Sequence, residues 1–439
     1  MFENLLGQNV TAQLVQDIGT GVLAPAMLFS GPPASGKGTA ALELARVISC
    51  ESESGRAEKA LWGCPCSACS RHRLLVHPDL LCLGWKPFSA EIMASAATFL
   101  SEPGNASSRL LFVRSVRKLL ARFNPVLWED DPKAKSIFPL VHSLEEGLDD
   151  LGSLSNPSSK LVDGMLKNAF KLESDGVSES VPVAQLRRAA YWSRLAPQGN
   201  EKLLIIENAD LMQEEARNSL LKLLEEPPTR SRYVLCSVRP GSFPSTVLSR
   251  LRPYRFLLRD AAVEAEVIRR VFKGKNEGGG ISAFLDSFLP VSPGTLEALA
   301  AFFAASVAYK SALLSKKQGR VIPEEVVLLG KFSAPKAEAA GLGRPMGDSA
   351  ALIALVLEKS EKFEVRSLFS RFLFFILEQV SLSQKNTSPR PAYNEIWRDS
   401  INWAENAVGV YNLKPASVLE KLFADLSRGM ASLSGESAL

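Results

Sequence analysis

A glycine-rich segment at residues 31–39, GPPASGKGT, contains the residue types that bind phosphate. It matches the pattern G-x-x-x-x-G-K, in which glycines let backbone N–H groups surround phosphate oxygens and the lysine reaches the β- and γ-phosphates. The pattern predicts ATP binding, and the alternative is a glycine-rich turn that binds no ligand. Six residues are expected to contact the nucleotide: Gly31, Ser35, Gly36, Lys37, Gly38 and Thr39.

The residue after the lysine bears on the metal ion that usually accompanies a nucleotide. Gly38 stands where a serine or threonine would place its hydroxyl on Mg²⁺, and Thr39 offers a hydroxyl one residue late. The sequence therefore predicts ATP as a cofactor and leaves open whether Mg²⁺ binds with it.

A second set of polar residues follows the apolar stretch at residues 202–206. At this place a nucleotide hydrolase needs an aspartate for the metal and a glutamate to orient the attacking water, and this chain has Glu207 and Asn208. Glu207 can still contact a metal, but the neutral amide of Asn208 cannot act as a base. Weak or absent hydrolysis is therefore predicted, with helix capping by Glu207 and Asp210 as a compatible alternative.

Four of the six cysteines lie within twenty residues of one another, at Cys50, Cys64, Cys66 and Cys69. Their spacing, C-x13-C-x-C-x2-C, includes one C-x-x-C pair, which directs two sulfurs at one ion. In a reducing compartment the cluster predicts a zinc site of four cysteines. The alternatives are free thiols, or three cysteines completed by one of two histidines. Those histidines are His72 and His77, and the two isolated cysteines, Cys82 and Cys236, are expected in the core.

Short apolar stretches suggest how these residues are positioned. Residues 26–29, 202–206 and 232–236 are predicted strands, and helical periodicity follows the phosphate-binding segment. A helix predicted at 213–224 ends before two prolines. Strands alternating with helices predict an α/β fold with a parallel sheet covered on both faces.

Composition indicates an ordinary globular protein of 439 residues, with 46% hydrophobic and 22% charged residues. A net charge of +4 does not by itself indicate nucleic-acid binding. The N-terminus lacks the pattern of a signal peptide, and no apolar run of transmembrane length occurs. A cytoplasmic protein without a membrane partner is therefore predicted.

Changes in composition along the chain predict its domain organisation. A segment rich in serine, glycine and acidic residues interrupts the first domain, and its basic amphipathic stretch at 108–123 is either a contact for DNA or a partner, or a solvated face. The predicted parts are a nucleotide-binding core at 1–258 with a zinc knuckle near 50–69 and an insertion near 84–180, a helical lid at 259–308, a linker at 309–347 and a helical C-terminal domain at 348–439.

Several motifs resemble, in order, those of bacterial DNA polymerase III clamp-loader AAA+ subunits. They are FENLLGQ at the N-terminus, the phosphate-binding segment, the cysteine cluster followed by HPDL, NSLLKLLEEPP at 218–228 and SFPSTVLSRLRPYRF at 242–256. The resemblance implies an AAA+ P-loop NTPase core with a parallel sheet, a small helical lid and an all-α C-terminal collar. SPGTLEAL at 292–299 and YNLKPASVLEKLF at 411–423 are most similar to the delta-prime subunit.

The resemblance also implies a role for Arg250. Ser249-Arg250 resembles the family's SRC motif, with Leu251 in place of the cysteine. In the family this arginine projects into the nucleotide site of a neighbouring subunit and stabilises the transferring phosphoryl charge. The alternatives are a structural arginine paired with a carboxylate at a helix end, or assignment of the role to the nearby Arg252 or Arg255.

The lid arginine of an ATP-sensing subunit is replaced by Thr295, which joins Gly38 and Asn208 as an altered position. The resemblance therefore implies a delta-prime-like stator that binds ATP with little or no hydrolysis. Its implied partners are other clamp-loader subunits, the sliding clamp and primed DNA. One alternative is the ATP-hydrolysing gamma/tau subunit, which the intact Lys37 and the cysteines favour. Another is a P-loop phosphotransferase.

Overall fold

The computed structural model describes most of the chain, and parts of the predicted zinc knuckle, insertion, lid and C-terminal domain lie outside the described residues. The description covers 1–439 except 53–59, 154–157, 179, 275–278, 364–365, 386, 388, 410, 412 and 434–439.

Five parallel strands form one sheet in the described residues: β1 (Ala26–Ser30), β2 (Leu80–Leu83), β3 (Lys202–Ile206), β4 (Ser231–Ser237) and β5 (Arg252–Arg255). Their order across the sheet is β2-β3-β4-β1-β5. Leu28 of β1 pairs with Leu235 on one side and with Pro253 on the other. The predicted parallel α/β fold is therefore confirmed.

Twelve helices accompany the sheet in the described part of the first 288 residues. They are α1 (Val10–Gly19), α2 (Lys37–Ile48), α3 (Ser67–Arg73), α4 (Ser89–Ser101), α5 (Ala106–Leu120), α6 (Ala134–Ser153), α7 (Ser159–Gly176), α8 (Val183–Arg194), α9 (Glu214–Glu225), α10 (Ser245–Leu248), α11 (Ala261–Phe272) and α12 (Gly280–Asp286). Short 3₁₀ turns lie at Ala121–Phe123, Pro125–Trp128, Ala209–Leu211 and Pro240–Ser242.

Each strand sends alternate side chains to opposite faces of the sheet, and both faces are covered. Met27 and Phe29 pack in the cluster that contains residues of α1 and α2. Ala26 and Leu28 pack in the other cluster, which contains residues of α4 to α9. The predicted insertion is therefore a set of helices whose apolar residues continue the core of the sheet.

The three predicted strands agree with β1, β3 and β4. Strand β2 is not among them, and β5 was not predicted from the sequence either. It reads Arg-Pro-Tyr-Arg, and only Tyr254 of the four is buried. Pro253 is tolerated because β5 is an edge strand, where the missing N–H removes no bond to a further strand. An edge strand with three exposed residues has no apolar run to identify it.

The described chain divides into two compact units, Met1–Phe288 and Leu289–Leu439. The second unit contains α13 (Pro293–Lys317), α14 (Glu324–Ala339), α15 (Ser349–Lys359), α16 (Arg366–Ser383), α17 (Pro391–Gly409) and α18 (Pro415–Ser432), with a 3₁₀ turn at Glu361–Phe363.

These two units differ from the predicted lid and linker. The predicted boundary at 308/309 falls inside α13, and much of the predicted linker at 309–347 belongs to α13 and α14. The reason is packing: α14 lies along α13, and a Cβ on Gly330 of α14 would lie 3.6 Å from the Cβ of Ala308 in α13.

Helix α13 is the centre of the second unit. Apolar residues occur all around it, as expected for a helix enclosed by others, and it packs against α14, α15, α16 and α18. Phe303 makes edge-on contacts with Phe372 and Phe423. Among the described residues α13 is also the one helix long and apolar enough to cross a membrane, but 67% of its most apolar window is buried within the protein. Its composition is accounted for by its place in the core of the unit.

Candidate nucleotide site and cysteine cluster

The phosphate-binding segment lies between β1 and α2, so that the N-terminus of α2 points into it. Gly36 precedes the helix with φ of 94°, a conformation that favours glycine. A Cβ on Gly31 would lie 2.3 Å from the carbonyl oxygen of Phe256, just after β5. Both glycines are therefore required by the path of the backbone.

The Lys37 ammonium lies at the centre of this loop. It donates hydrogen bonds to the carbonyl oxygens of Gly31 and Pro32, at 2.7 and 2.6 Å, and is 3.3 Å from Ser35 Oγ. Burial lowers the pKa of Lys37. A buried cation surrounded by loop carbonyls can donate equally well to phosphate oxygens, so the arrangement fits the predicted nucleotide.

The side of the loop that would hold Mg²⁺ is different. A Cβ on Gly38 would lie 2.4 Å from Glu207 Oε1, so the carboxylate occupies the space that a serine or threonine side chain would need. Thr39 is the next residue of α2 and therefore lies about 100° around the helix axis from Gly38. In the described structure no hydroxyl on this turn takes the position of the usual metal ligand.

Glu207 forms an ion pair with an arginine that the sequence reading did not single out. Arg122, in the 3₁₀ turn after α5, contacts Glu207 Oε2 through Nη2, and its Nε donates to the carbonyl oxygen of Gly84 at 2.9 Å. Gly84 lies against Glu207, because a Cβ there would be 2.0 Å from the Glu207 carbonyl oxygen. Arg122 is 85 residues from Glu207 in the chain, so sequence spacing gives no signal for the pair.

Asn208 is also used structurally. Its backbone is left-handed, with φ of 47°, and its Nδ2 donates to the carbonyl oxygen of Trp85 at 2.8 Å. Asp210, the next acidic residue, accepts from Val238 N and pairs with Arg239 at 3.2 Å. These residues do not fit a magnesium site, because Mg²⁺ needs carboxylate oxygens free to coordinate it and a suitably placed hydroxyl.

The four predicted metal ligands come together. The sulfur atoms of Cys50, Cys64, Cys66 and Cys69 all lie within 4.8 Å of one another. Cys50 Sγ is 3.8 Å from Cys64 Sγ and 4.0 Å from Cys66 Sγ. A tetrahedral site with Zn–S bonds of about 2.3 Å requires sulfurs about 3.8 Å apart. The cluster can therefore hold a metal ion, and its spacing is compatible with zinc.

The surroundings of the cluster favour the thiolate of Cys66, whereas burial raises the pKa of Cys50 and Cys69. Arg46 Nη1 lies 3.5 Å from Cys69 Sγ, and the same guanidinium is paired with Glu43 at 2.9 Å. Burial acts to raise the pKa of Cys66, but hydrogen bonds from the backbone of Cys69 and Glu51 outweigh it and lower the pKa to about 7. Cys66 is thus readily deprotonated near neutral pH, as a metal ligand must be.

The two histidines considered as alternative ligands stand apart from the sulfur cluster. His72 and His77 stack on each other with ring centroids 4.1 Å apart. Burial lowers the pKa of His72 to about 2, so this side chain stays neutral. Cys82 and Cys236 are buried in β2 and β4, as expected of core residues.

The basic stretch at 108–123 mostly serves internal contacts. Arg114 and Arg117 donate to carbonyl oxygens near the C-terminus of α3, Arg117 to Leu74 at 2.9 Å. Lys118 is paired with Glu91. The two arginines join α5 to the segment that carries the cysteines, and Lys118 joins α5 to α4. Side chains engaged in these internal contacts give less support to the alternative of a DNA or partner contact.

Arg250 lies two residues after the end of α10, at the surface. Its Nη1 donates to the carbonyl oxygen of Thr246 at 2.6 Å, and its Nη2 to Glu225 Oε1 at 2.9 Å. The Arg250 side chain is 34% exposed and that of Glu225 49%. A pair this exposed contributes little stability and is readily broken. Of the two neighbours, Arg252 lies 3.9 Å from Asp17, and Arg255 ends β5.

Thr295 belongs to the second unit, in the first turn of α13. Its hydroxyl is 2.9 Å from that of Ser292, which caps the helix by accepting from Thr295 N. A capping contact of this kind explains the residue without any ligand.

The sheet and the loop between β1 and α2 define a protein of the parallel α/β, P-loop class, followed by an all-α unit. Residues 155–259 match a family described as DNA polymerase III, delta subunit. Over 138 residues the chain is 31% identical to DNA polymerase III subunit delta' of Bacillus subtilis (strain 168). The aligned segment makes up 31% of this chain and 40% of that protein. These matches confirm the resemblance to the DNA polymerase III clamp-loader family.

The extent of these matches is limited, since the chain spans only about 40% of the length of the curated relative. A solved structure of a DNA polymerase III gamma subunit-related protein from Thermotoga maritima is 19% identical and covers 56% of this chain and 79% of its own. Its TM-score is 0.22, too low to carry an argument.

Proposed function

We propose that this chain is a delta-prime-like clamp-loader subunit of DNA polymerase III that acts on a neighbour's nucleotide through Arg250. The observation that carries the proposal is the position of Arg250 in a motif of the family, at the surface, held by an ion pair that costs little to break. An arginine that enters a neighbouring subunit's nucleotide site stabilises the charge of the phosphoryl group during its transfer.

The chain's own nucleotide site supports a subunit that binds ATP without hydrolysing it more than a subunit that hydrolyses ATP. Lys37 and the loop glycines suit phosphate, so ATP is the proposed ligand. Glu207 is paired with Arg122, and the Asn208 amide is bonded to Trp85, so neither side chain is free to position a metal or a water. We therefore expect ATP binding with little or no hydrolysis.

The remaining assignments follow from the same proposal. The cysteine cluster is proposed to hold a structural zinc ion. The helices after residue 258 are proposed to supply the lid and collar. Proposed partners are the other clamp-loader subunits, the sliding clamp and primed DNA, and the proposed location is the cytoplasm. The gamma/tau alternative is favoured by the intact geometry around Lys37 and by the cysteine cluster.

A test compares native and Arg250→Ala chains in a complex reconstituted with the ATP-hydrolysing subunits. We expect hydrolysis at the one site that Arg250 faces to fall by about 10³-fold or more, while nucleotide binding by this chain stays unchanged. Glu225→Gln is the matched control, since it breaks the resting ion pair but keeps the arginine, and should retain hydrolysis. Unchanged hydrolysis in the Arg250→Ala complex would contradict the proposal.

A further inference from the structure

The helical insertion reaches the nucleotide site, and it does so through the two residues that follow β3. Arg122 and Trp85 both belong to the insertion, and they bind Glu207 and Asn208 respectively. A catalytic site of this fold would need those two positions for a metal ion and a water molecule. In this chain both are tied to a segment that the family resemblance does not account for.

Arg122 is fixed more firmly than a surface arginine. Its side chain is 7% exposed, its guanidinium carbon lies 5.3 Å from the ring centre of Phe88, and its Nε donates to the carbonyl oxygen of Gly84. Its own carbonyl oxygen accepts from Trp128 Nε1 at 2.8 Å. The charge is thereby held in one place next to Glu207.

Glu207 is equally constrained. Its second oxygen lies against Gly38, the residue that follows Lys37. The carboxylate is therefore flanked by the first turn of α2 on one side and by Arg122 on the other. A divalent cation bound between Glu207 and the phosphates would have to share the space and the charge with Arg122.

We propose that Arg122 serves as a built-in counter-ion that takes the place of the divalent cation, so that the loop around Lys37 binds a nucleoside triphosphate without Mg²⁺. This inference rests on the ATP binding proposed above. Lys37 supplies the positive charge that faces the phosphates, and Arg122 offsets the negative charge of Glu207 that a divalent cation would otherwise offset. Arg122 acts here by positioning and neutralising Glu207, and no bond is made or broken.

The ion pair between Arg122 and Glu207 leads to a prediction for a variant that lacks Arg122. Replacing Arg122 by glutamine removes the ion-pair partner of the Glu207 carboxylate, whose side chain is 15% exposed. A carboxylate that loses its direct partner in such a place is costly and attracts another cation. Arg122→Gln should therefore create the magnesium dependence that the native chain lacks.

The test measures ATP affinity of the full chain by calorimetry, with Mg²⁺ either present or omitted. Magnesium is omitted rather than chelated, so that any metal at the cysteines stays bound. We expect native affinities within about two-fold of each other, and Arg122→Gln affinities that differ by about ten-fold or more, tighter with Mg²⁺. Arg122→Lys, which keeps the charge, should behave like the native chain.

Two further measurements separate a charge effect from a loss of structure. Arg188→Gln removes another arginine of this region, which donates to the carbonyl oxygen of Leu127 and does not touch Glu207, and it should leave magnesium independence unchanged. Mn²⁺, detected by electron paramagnetic resonance, should bind Arg122→Gln at a site that the native chain lacks. Circular dichroism checks that each variant is folded.

The outcomes distinguish this inference from the proposal on which it rests. Native binding that weakens about ten-fold or more when Mg²⁺ is omitted would overturn the role of Arg122 while leaving ATP binding in place. A native chain that binds no nucleotide under either condition would overturn both. Neither result alters the test of Arg250, which is read from hydrolysis by neighbouring subunits.

Discussion

At the scale of single residues, the groups around the cysteine cluster would support the proposed metal site. Four thiolates around Zn²⁺ would carry a net charge of about −2. The Arg46 guanidinium lies next to Cys69 and is itself paired with Glu43, so it would donate a hydrogen bond to the cluster. Cys69 is fully buried, and Cys66 accepts from its backbone N–H at 3.4 Å. The ligands are thus held in place by contacts that involve no metal.

Replacing one ligand should remove the metal. We expect the native chain to bind about one zinc ion, and Cys64→Ser to bind zinc much more weakly because serine is a poor ligand for it. Metal analysis after dialysis, together with the thermal unfolding midpoint, gives the readout. Cys82→Ser is the matched control, since Cys82 is a buried cysteine of β2 and should keep the zinc. Equal zinc content in native and Cys64→Ser chains would contradict the four-cysteine site.

The residues of the site were predicted from the sequence wherever they belong to a local pattern. Lys37, Glu207 and the cysteines occur in short motifs, and the structure brings the four cysteines together. Arg122 was missed, because its partner lies far away in the chain and its own surroundings read as a basic amphipathic stretch. A buried ion pair between distant segments leaves no periodic signal.

At the scale of secondary-structure elements, polar side chains fasten helices at their ends. Glu173 of α7 accepts hydrogen bonds from the backbone N–H groups of Phe88 and Ser89, at the start of α4. In the second unit the Arg390 guanidinium donates two hydrogen bonds to Glu325, in the first turn of α14, at 2.8 and 2.7 Å. Such contacts fix where an element begins, which apolar periodicity alone does not determine.

The pair of Glu325 and Arg390 predicts a response to acid. Hydrogen bonds from Arg390 lower the pKa of Glu325 to about 2, compared with about 4.3 in an unfolded chain. A depressed carboxyl pKa stabilises the fold above the unfolded pKa, and this contribution is lost as the pH falls from about 4.3 towards 2. Glu325→Gln should therefore unfold more easily at pH 6 and lose less further stability between pH 5 and 2 than the native chain.

Thermal unfolding midpoints measured across that range give the comparison. Glu324→Gln serves as the control, because Glu324 is its exposed neighbour and should keep the acid response of the native chain. If Glu325→Gln and native chains showed parallel pH profiles, the ion pair would not be the source of the effect.

At the scale of the whole molecule, the chain consists of two units with separate cores. The sequence predicted the parallel sheet, because buried strands such as β3 are continuous apolar runs. The lid and linker boundaries predicted from the sequence differ from the boundary between the two units. A helix as apolar as α13 has no polar face that would show where its unit begins. Boundaries that depend on which helices pack together follow from tertiary contacts more than from composition.

The second unit should fold when produced alone. A fragment of residues 289–439 contains all of α13 and the helices packed around it. We expect a helical circular dichroism spectrum and one cooperative thermal transition. A fragment of residues 309–439 is the control, since it lacks the first part of α13, including Phe303, and should not unfold cooperatively. A non-cooperative transition in the longer fragment would show that the unit depends on the rest of the chain.

The insertion has a consequence for the kinetics of folding. Strands β2 and β3 are neighbours in the sheet, but Leu80 pairs with Leu203, about 120 residues further along the chain. Pairings between such distant segments form slowly, whereas contacts among α4 to α7 are more local and form sooner. Once those helices have assembled, the ends of the insertion lie close together and the effective loop between the two strands is short. We therefore expect the helices of the insertion to assemble early and the edge of the sheet to close afterwards.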